Sequence, residues 1–439
     1  MTFLQFPRGA RRARGLFIAA LFCLLPGFAF AASAPAGAAS VRQPPAPAPV
    51  PRIARVPGDD DAVTKRLVAD FDRLADDAMA TGQIVGLATV VVHKGQVVSR
   101  RGLGVRDTSD PQPVTTETVF RLASLSKAFA SALTALLVDD GFVDWELRVQ
   151  DLVPVFELSD TREAPKVTVA DLLSHRVGLP HNAEDMTLEQ DESYPMLVYR
   201  LRDVPLICRP GDCYAYQNVA FSLIGDIVFA TTGDFYYHQV ERRLFHPLGM
   251  ATATYGRDAL EASANWAHPH VRKGRRWQSV RPKETYYRVP PAAGVNASIT
   301  DMTEWLLAQL GHHPDVLPQA VLDVVHAPLV STPGEIQGSA RWRRERLLDA
   351  KYALAWRVYD YSGHRLVFHA GAVQGYRAMI ALLPDHDFGV VLLWNNETGV
   401  PAGLLPSLLD GFLGLPPRDW LELRSIPRVP RYTAAAGSH

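Results

Sequence analysis

The sequence predicts an α+β fold: an antiparallel sheet flanked by helices and built from both ends of the chain, with a mostly helical region (about 123–345) inserted in it. Near the beginning, two β-branched runs, 84–92 and 96–101, are joined by a Lys-Gly turn, which indicates a hairpin. Near the end, alternating or apolar runs predict strands at 352–361, 364–369, 377–383 and 389–394. A functional site is therefore expected in the seam between the sheet and the helical region.

The bulk composition is that of an ordinary globular protein. The chain has 439 residues, 47% hydrophobic and 21% charged, which suffices for one large domain or two moderate ones. Lys and Arg number 45 against 46 for Asp and Glu, whereas a nucleic-acid or anionic-membrane partner favours a basic excess. We therefore expect neither partner, and instead a monomer that binds a small-molecule or peptide substrate.

The first residues have the pattern of an export signal. Four arginines between positions 8 and 14 precede the apolar run 16–31, which ends in Ala29-Phe30-Ala31, a small-residue cleavage pattern. The run is short for a membrane span, and an uncleaved anchor is the alternative. We predict a cleaved signal peptide over residues 1–31, no membrane span after cleavage, and a periplasmic or secreted protein.

The remaining chain divides by composition. Residues 32–58 are Ala/Pro-rich and predict an extended linker, 59–420 form the folded domain, and 421–439 are a tail. Within the domain, residues 61–82 carry apolar side chains on one face and acidic residues at the start, which predicts an amphipathic helix. The apolar segment 403–413 predicts a last helix.

Signal cleavage leaves two cysteines, Cys208 and Cys213, in the Pro-Gly turn CRPGDC. In an oxidising compartment they are expected to form a disulfide, and two unpaired buried thiols are the alternative. Nearby, the acidic segment 183–195 most simply forms a mobile, solvated rim. No metal site is expected, because His268 and His270 most simply form a surface pair.

A possible nucleophile stands at the start of an apolar helix. Ser124 and Lys127 form an S-x-x-K, and three residues along a helix bring both side chains to one face. The lysine amine can then take the serine proton, provided that burial or cationic neighbours lower its pKa. The serine at the first turn also offers its own N–H to a developing oxyanion. Taken alone, the motif equally fits a serine cap followed by a solvated lysine.

Tyr216-Gln217-Asn218 follows the cysteine turn and precedes an apolar helix. A tyrosine near Lys127 can relay a proton between nucleophile and leaving group if the cation lowers its pKa. Asn218 can hold a substrate amide. Taken singly, these residues are equally a buried tyrosine and a helix-capping asparagine.

His369-Ala370-Gly371 ends a predicted strand. A glycine on an edge strand lets a substrate backbone approach closely, and the next N–H, on Ala372, can complete an oxyanion hole. Taken alone, His369 is equally an ordinary strand histidine.

In order and context, these motifs resemble the serine beta-lactamase and penicillin-binding protein superfamily, specifically its class C-like branch, which has S-x-x-K, Y-x-N and K-T-G or H-x-G. That branch also includes D-Ala-D-Ala carboxypeptidases, D-aminopeptidases and esterases. The resemblance extends over about residues 61–415 and includes these segments: ATVVVHKGQVV, VFRLASLSK, DLLSHRVGLP, PAAGVNASITDMTEWL, YALAWRV and FHAGAVQGYRA.

The resemblance implies Ser124 as the acylated nucleophile, Lys127 as its activating base and Tyr216 as the proton relay. It implies a beta-lactamase/transpeptidase-like fold and no cofactor or metal. The substrate-binding residues that it implies are Asn218, His369, Gly371 and Ala372.

His369 departs from the class C beta-lactamases, which carry lysine at this position. A histidine is charged only part of the time near neutrality, so efficient beta-lactamase activity is not expected. A carboxypeptidase or esterase acting on D-amino-acid peptides, small esters or amides is favoured, with slow acylation by penicillin. Arg377 is a candidate for binding a substrate carboxylate. The alternative is a non-catalytic penicillin-binding or sensor module; an α/β-hydrolase is disfavoured because G-x-S-x-G is absent.

Overall fold

The computed structural model describes residues 55–338, 340–429 and 431–432. The predicted signal peptide (1–31), nearly all of the predicted linker and the end of the predicted tail lie outside the described residues. Within the described part of the chain, no helix is both long and apolar enough to cross a membrane.

The strands are β1 (Gly86–His93), β2 (Gln96–Gly104), β3 (Val119–Arg121), β4 (Thr254–Tyr255), β5 (His270–Lys273), β6 (Arg276–Ser279), β7 (Val295–Ser298), β8 (Val330–Ser331), β9 (Leu347–Tyr352), β10 (Arg357–Tyr361), β11 (His364–Val373), β12 (Tyr376–Leu383) and β13 (Phe388–Trp394). The α-helices are α1 (Asp61–Met79), α2 (Ser126–Asp139), α3 (Val149–Leu152), α4 (Val169–Leu173), α5 (Asp185–Glu189), α6 (Tyr194–Arg200), α7 (Leu223–Thr232), α8 (Tyr236–Val240), α9 (Arg257–Ala262), α10 (Pro290–Ala293), α11 (Ile299–Gln309), α12 (Gln319–Val325), α13 (Arg341–Arg346) and α14 (Leu404–Leu413).

The main sheet is antiparallel and has the strand order β2-β1-β13-β12-β11-β10-β9-β8. Its centre joins the two ends of the chain, because Val90 of β1 lies opposite Val391 of β13. The predicted α+β fold with a sheet built from both ends is therefore confirmed. The region predicted to be mostly helical also contains the hairpin β5-β6 and contributes β7 and β4 to a small sheet with β3.

One predicted strand, 352–361, is in fact two strands. β9 ends at Tyr352 and β10 begins at Arg357; between them the Ala353 N–H donates to the Trp356 carbonyl at 2.7 Å, and Ala355 has a φ of +63°. The four residues of this turn are at most 3% exposed. A fully buried turn is as apolar as a strand, so its composition gives no signal of a break.

Helices cover both faces of the sheet. Along β13, Val391 and Leu393 pack in the core that includes α2 and α11, whereas Val390 and Leu392 pack in the core that includes α1 and α14. This alternation follows from the two-residue period of a strand, and burial on both faces explains why β13 is apolar throughout. Helix α2 therefore lies inside the larger core, with its first residue next to the sheet.

The loop before Tyr216 contains a disulfide between Cys208 and Cys213, with a Cα–Cα distance of 6.2 Å. Backbone hydrogen bonds also attach this loop to the segment 175–178: the N–H groups of Ile207 and Ala215 donate to the carbonyls of Gly178 and His175, both at 2.9 Å. The disulfide and the hydrogen bonds together fix the path of the chain toward Tyr216.

Replacing both cysteines with serine is expected to lower the free energy of unfolding by about 2 kcal/mol, because the disulfide closes only a short loop. Urea unfolding of the wild type and the double variant measures this difference. Reductant should reproduce the loss in the wild type and leave the double variant unchanged. An equal stability of both proteins would contradict a bracing role.

A buried ion pair attaches α14 to the end of α13. Arg346 donates to both carboxylate oxygens of Asp410, at 2.9 and 2.7 Å, and the two residues are 8% and 3% exposed. Asp410 also accepts hydrogen bonds from the Tyr361 hydroxyl at 2.7 Å and the Trp420 indole at 2.8 Å. Three groups thus donate to this carboxylate, and its loss leaves the buried Arg346 cation without its counter-charge.

Asp410→Asn is expected to lower the free energy of unfolding by about 3 kcal/mol, because Arg346 would remain buried without a counter-charge. Glu261→Gln is the matched control, since Arg281 also donates to both oxygens of Glu261 but does so at the surface. Urea unfolding should show a much smaller loss for the control. Similar losses in both variants would show that burial does not govern the Asp410 pair.

Candidate active site

Ser124 lies in a short 3-10 turn, Ala123–Leu125, immediately before α2. Ala123 has a φ of +49°, a left-handed conformation that is unfavourable for a residue with a Cβ and is held here by its surroundings. The Ser126 hydroxyl donates to the Ala123 carbonyl at 2.6 Å and accepts from the Val295 N–H at 3.0 Å. These contacts tie the turn to β7 and hold Ser124, which is half-buried, at the wall of a cavity.

Lys127 is 0% exposed, in the first turn of α2. Its Nζ donates to Asn218 Oδ1 at 2.6 Å and to the Ala292 carbonyl at 3.1 Å. Burial lowers the pKa of Lys127 well below its ordinary value; Arg357 acts in the same direction and Asp185 opposes it. A neutral amine has two N–H groups, and the two acceptors use both, which leaves the lone pair free to accept a proton.

Tyr216 packs against Lys127, with Nζ 4.6 Å from the centre of the ring, and lines the cavity together with Ser124. Burial raises the pKa of Tyr216 to about 12, although Arg357 and the nearby Ser124 hydroxyl act in the opposite direction. The condition set for this relay, a pKa lowered by the lysine cation, is not met: burial raises the pKa of Tyr216, and the cation that acts against burial is Arg357. Tyr216 is a neutral phenol that can both donate and accept a proton.

Asn218 connects Lys127 to a carboxylate. Its Oδ1 accepts from Lys127, and its Nδ2 donates to Asp185 Oδ2 at 2.7 Å. The second N–H of Nδ2 is available to a substrate carbonyl, so the predicted amide contact is compatible with this geometry and remains a prediction.

His369 lies behind the cavity wall. It is 0% exposed, and Arg357 Nη1 and the Tyr352 hydroxyl lie 3.2 and 3.3 Å from its Nε2. Because arginine can only donate, Nε2 is an acceptor, and Nδ1–H donates to the Ala370 carbonyl at 2.9 Å. Burial, with Arg357 and Lys127 adding to it, lowers the pKa of His369 well below its ordinary value. The expectation that His369 is charged part of the time near neutrality is therefore wrong.

The cations at the cavity are arginines. Arg357 and Arg377 both line it, and Arg357 also donates from Nε to Glu335 at 3.1 Å. Arg377 donates from Nη1 to the carbonyls of Val373 and Tyr376, both at 2.7 Å, so its position is fixed by the backbone. Sequence analysis proposed Arg377 and missed Arg357. The sequence signal that could have indicated Arg357 is its position as a charged residue directly after the apolar run YALAW.

Strand β11 passes directly beside the Ser124 turn. A Cβ built on Gly371 would lie 2.3 Å from the Leu122 carbonyl oxygen and 3.1 Å from the Ser124 nitrogen, so only glycine fits there. Strand β10 pairs with β11 as far as Phe368, and beyond it Ala372 is paired with Arg377 of β12. The Ser124 turn packs against Gly371 in the part of β11 that does not pair with β10, and Ala372 is exposed at the cavity.

The cavity has a volume of about 470 Å³ and is lined by residues from both the sheet and the helical region. Asp185 is a lining residue that sequence analysis missed, since the segment 183–195 was expected to be a solvated rim. Instead Asp185 begins α5 and is 7% exposed. In the described residues, no group of three or more His, Cys, Asp or Glu side chains is arranged to hold a metal ion.

The chain is similar to known hydrolases and penicillin-binding proteins. It is 26% identical over 403 residues to an unguisins hydrolase of Aspergillus violaceofuscus, covering 85% of this chain and 70% of the relative. The octameric penicillin-binding protein homologue of Pyrococcus abyssi has a TM-score of 0.70 and 21% identity, covering 79% of this chain and 78% of that one. The D-amino acid amidase of Ochrobactrum anthropi SV3 has a TM-score of 0.62 and 21% identity, covering 76% and 92%.

The structural neighbours share the fold, and the sequence match defines the family. The profile of the Beta-lactamase family matches residues 71–409, a range that includes Ser124, Lys127, Tyr216 and Gly371. The protein therefore belongs to the Beta-lactamase family and has the beta-lactamase/transpeptidase fold of its serine hydrolases.

Proposed function

We propose that this protein is an exported serine hydrolase that forms an acyl-enzyme on Ser124 and cleaves D-amino-acid-containing peptides or small amides and esters. The observation that carries the proposal is the environment of Lys127, a buried amine whose two N–H groups are bound by carbonyl oxygens. An amine in this state is a base at neutral pH, which is what activation of a serine hydroxyl requires.

In the first half of the reaction, the Lys127 lone pair takes the proton of Ser124 and Oγ attacks the substrate carbonyl carbon. The N–H groups of Ser124 and Ala372 bind the oxyanion that forms. The Tyr216 phenol donates its proton to the leaving nitrogen or oxygen as that bond breaks, and the proton held by Lys127 returns to Tyr216. In the second half, the same groups take a proton from a water molecule, whose oxygen attacks the acyl carbon. The bond from this carbon to Ser124 Oγ then breaks, the proton is given to Oγ, and the acid leaves.

Two features favour amides and esters over efficient beta-lactam hydrolysis. The neutral His369 provides no cation on β11 for a beta-lactam carboxylate. Arg377, which is held by two backbone carbonyls beside the cavity, is the proposed contact for a substrate carboxylate and does not discriminate between peptides and beta-lactams. The similar proteins include an unguisins hydrolase and a D-amino acid amidase, which suggests amide substrates and D-residues.

Export is proposed from the signal pattern of residues 1–31. The Cys208–Cys213 disulfide agrees with an oxidising compartment such as the periplasm or the exterior.

Time-resolved intact mass of residues 55–439 mixed with benzylpenicillin is expected to show slow formation of a lasting adduct. The adduct should be absent in Ser124→Ala. In parallel, p-nitrophenyl acetate and the amides of D- and L-phenylalanine are tested as substrates, with D-amide turnover expected to exceed L-amide turnover.

The outcomes separate the alternatives. A transient adduct with rapid loss of penicillin would indicate a beta-lactamase and contradict the role given to His369. Ester turnover without amide turnover would indicate an esterase. An adduct with no turnover of any substrate would favour the non-catalytic penicillin-binding module.

Gly371→Ala is expected to lower kcat/KM for p-nitrophenyl acetate by about 100-fold or more, because the new Cβ would push β11 away from the Ser124 turn and separate the two oxyanion donors. Gly334→Ala is the control, since no heavy atom lies within 4 Å of its Cβ position. Thermal unfolding monitors folding of both variants. An unchanged kcat/KM for Gly371→Ala would contradict the proposed oxyanion site.

A further inference from the structure

Asp185 is buried beside the catalytic groups without contacting Ser124 or Lys127 by a hydrogen bond. Its Oδ2 accepts from Asn218 Nδ2 at 2.7 Å and lies 3.4 Å from the Tyr286 hydroxyl. Its Oδ1 is buried and has no hydrogen-bond partner among the described residues. A buried carboxylate with half of its acceptor capacity unused is costly, so its retention calls for a role beyond packing.

The carboxylate determines which way the Asn218 amide faces. An ionised carboxylate can only accept hydrogen bonds, so the Asn218 atom that faces it must be the NH₂ group. The carbonyl oxygen of the amide then necessarily faces Lys127, where it binds one of the amine hydrogens at 2.6 Å. The opposite amide orientation would place an NH₂ group against Lys127 and a carbonyl oxygen against Asp185, which is doubly unfavourable.

Two charged groups affect the pKa of Lys127, and Asp185 is the anion of the two. Arg357 is a cation, and its effect on the pKa of Lys127 is opposite to that of Asp185. His175, His369 and Tyr216 also surround the amine. Burial, together with Lys127 and Arg357, lowers the pKa of both histidines well below the ordinary value, and burial raises that of Tyr216, so all three are neutral at pH 7.

Asp185 itself has few charged neighbours. Burial raises its pKa, while its hydrogen bonds with Asn218 and Tyr286 and the charges of Lys127 and His181 act in the opposite direction. The groups that contact the carboxylate are two hydrogen-bond donors, the Asn218 amide and the Tyr286 hydroxyl, so Oδ2 acts as an acceptor toward both.

We propose that Asp185 is a positioning residue for the Ser124–Lys127 pair, which fixes the Asn218 amide and places a negative charge where Lys127 becomes positive during acylation. This inference rests on the proposed function. When the proton moves from Ser124 Oγ to Lys127 Nζ, the new ammonium is stabilised by the carboxylate behind Asn218. When the proton leaves again by way of Tyr216, the original neutral amine is restored.

The test is the pH dependence of kcat/KM for p-nitrophenyl acetate in the wild type and in Asp185→Asn. Activity requires neutral Lys127, so the acid limb of the profile reports the pKa of that amine. Asp185 raises the pKa of Lys127, whereas burial and Arg357 lower it. Without the Asp185 charge the pKa of Lys127 should fall, and the acid limb should move to lower pH. The plateau should also fall by about tenfold, because an asparagine at position 185 no longer specifies one orientation of Asn218.

Asp226→Asn is the matched control. Asp226 is a half-buried carboxylate of the helical region, where it accepts from the Tyr194 hydroxyl, but it does not line the cavity. Its substitution removes the same unit of charge and should leave both the acid limb and the plateau in place. An equal shift in both variants would overturn the proposal, since it would reflect net charge alone.

Asn218→Ala separates the two parts of the proposed role. In this background, Asp185→Asn should still move the acid limb but should no longer lower the plateau, because no amide remains to be oriented. Fully additive losses would contradict the orienting role.

A second measurement does not require turnover. The chain has seven lysines, and ¹³Cε-lysine NMR resolves their titrations, with the Lys127 signal identified by its loss in Lys127→Met. Asp185→Asn should lower the Lys127 midpoint; Asp185→Ser is the substitute if the asparagine variant does not fold. An unchanged Lys127 midpoint would overturn this proposal. If none of the tested substrates acylated the wild-type protein, the proposed function would be overturned instead.

Discussion

The candidate site depends on the burial of one amine. Lys127 of α2 is buried against Asn218 and α10, where an ammonium would lose its hydration without gaining a directly bound counter-ion. Two carbonyl oxygens face the amine. They accept both N–H groups of the neutral amine, whereas an ammonium would have a third N–H group without an acceptor. The same burial keeps His175 and His369 neutral and Tyr216 protonated, so a single cause sets the protonation states of the groups around Ser124.

This burial is possible because the sheet is assembled from both ends of the chain. Pairing of β1 with β13 places β11 next to the start of α2, and the absence of a side chain at Gly371 lets the strand lie against the Ser124 turn. A larger residue would hold the two apart and admit water to Lys127. The same turn contains the left-handed Ala123 and is held to β7 by the two hydrogen bonds of the Ser126 hydroxyl.

The sequence was sufficient for the features that repeat along the chain or lie within short motifs. Strand alternation predicted the sheet, and S-x-x-K, Y-x-N and H-x-G predicted which segments meet at the cavity. Three features could not be predicted because they depend on distant contacts. The break between β9 and β10 is buried and apolar, Asp185 lies in a segment with the composition of a surface loop, and Arg357 resembles any charged residue that follows a strand.

The position of Arg357 also explains why histidine is stable at position 369. A lysine there would face the Arg357 guanidinium at hydrogen-bond distance in a buried environment, and two cations so placed repel strongly. A neutral histidine instead accepts from Arg357 and donates to the Ala370 carbonyl, so both of its nitrogens are bound. At this point of the cavity the positive charge is thus carried by Arg357 of β10, where Glu335 balances it, rather than by β11. The Arg357 guanidinium lies behind the Tyr216 ring, and its positive charge opposes protonation of Lys127. Arg357 and burial therefore both favour the neutral form of the lysine.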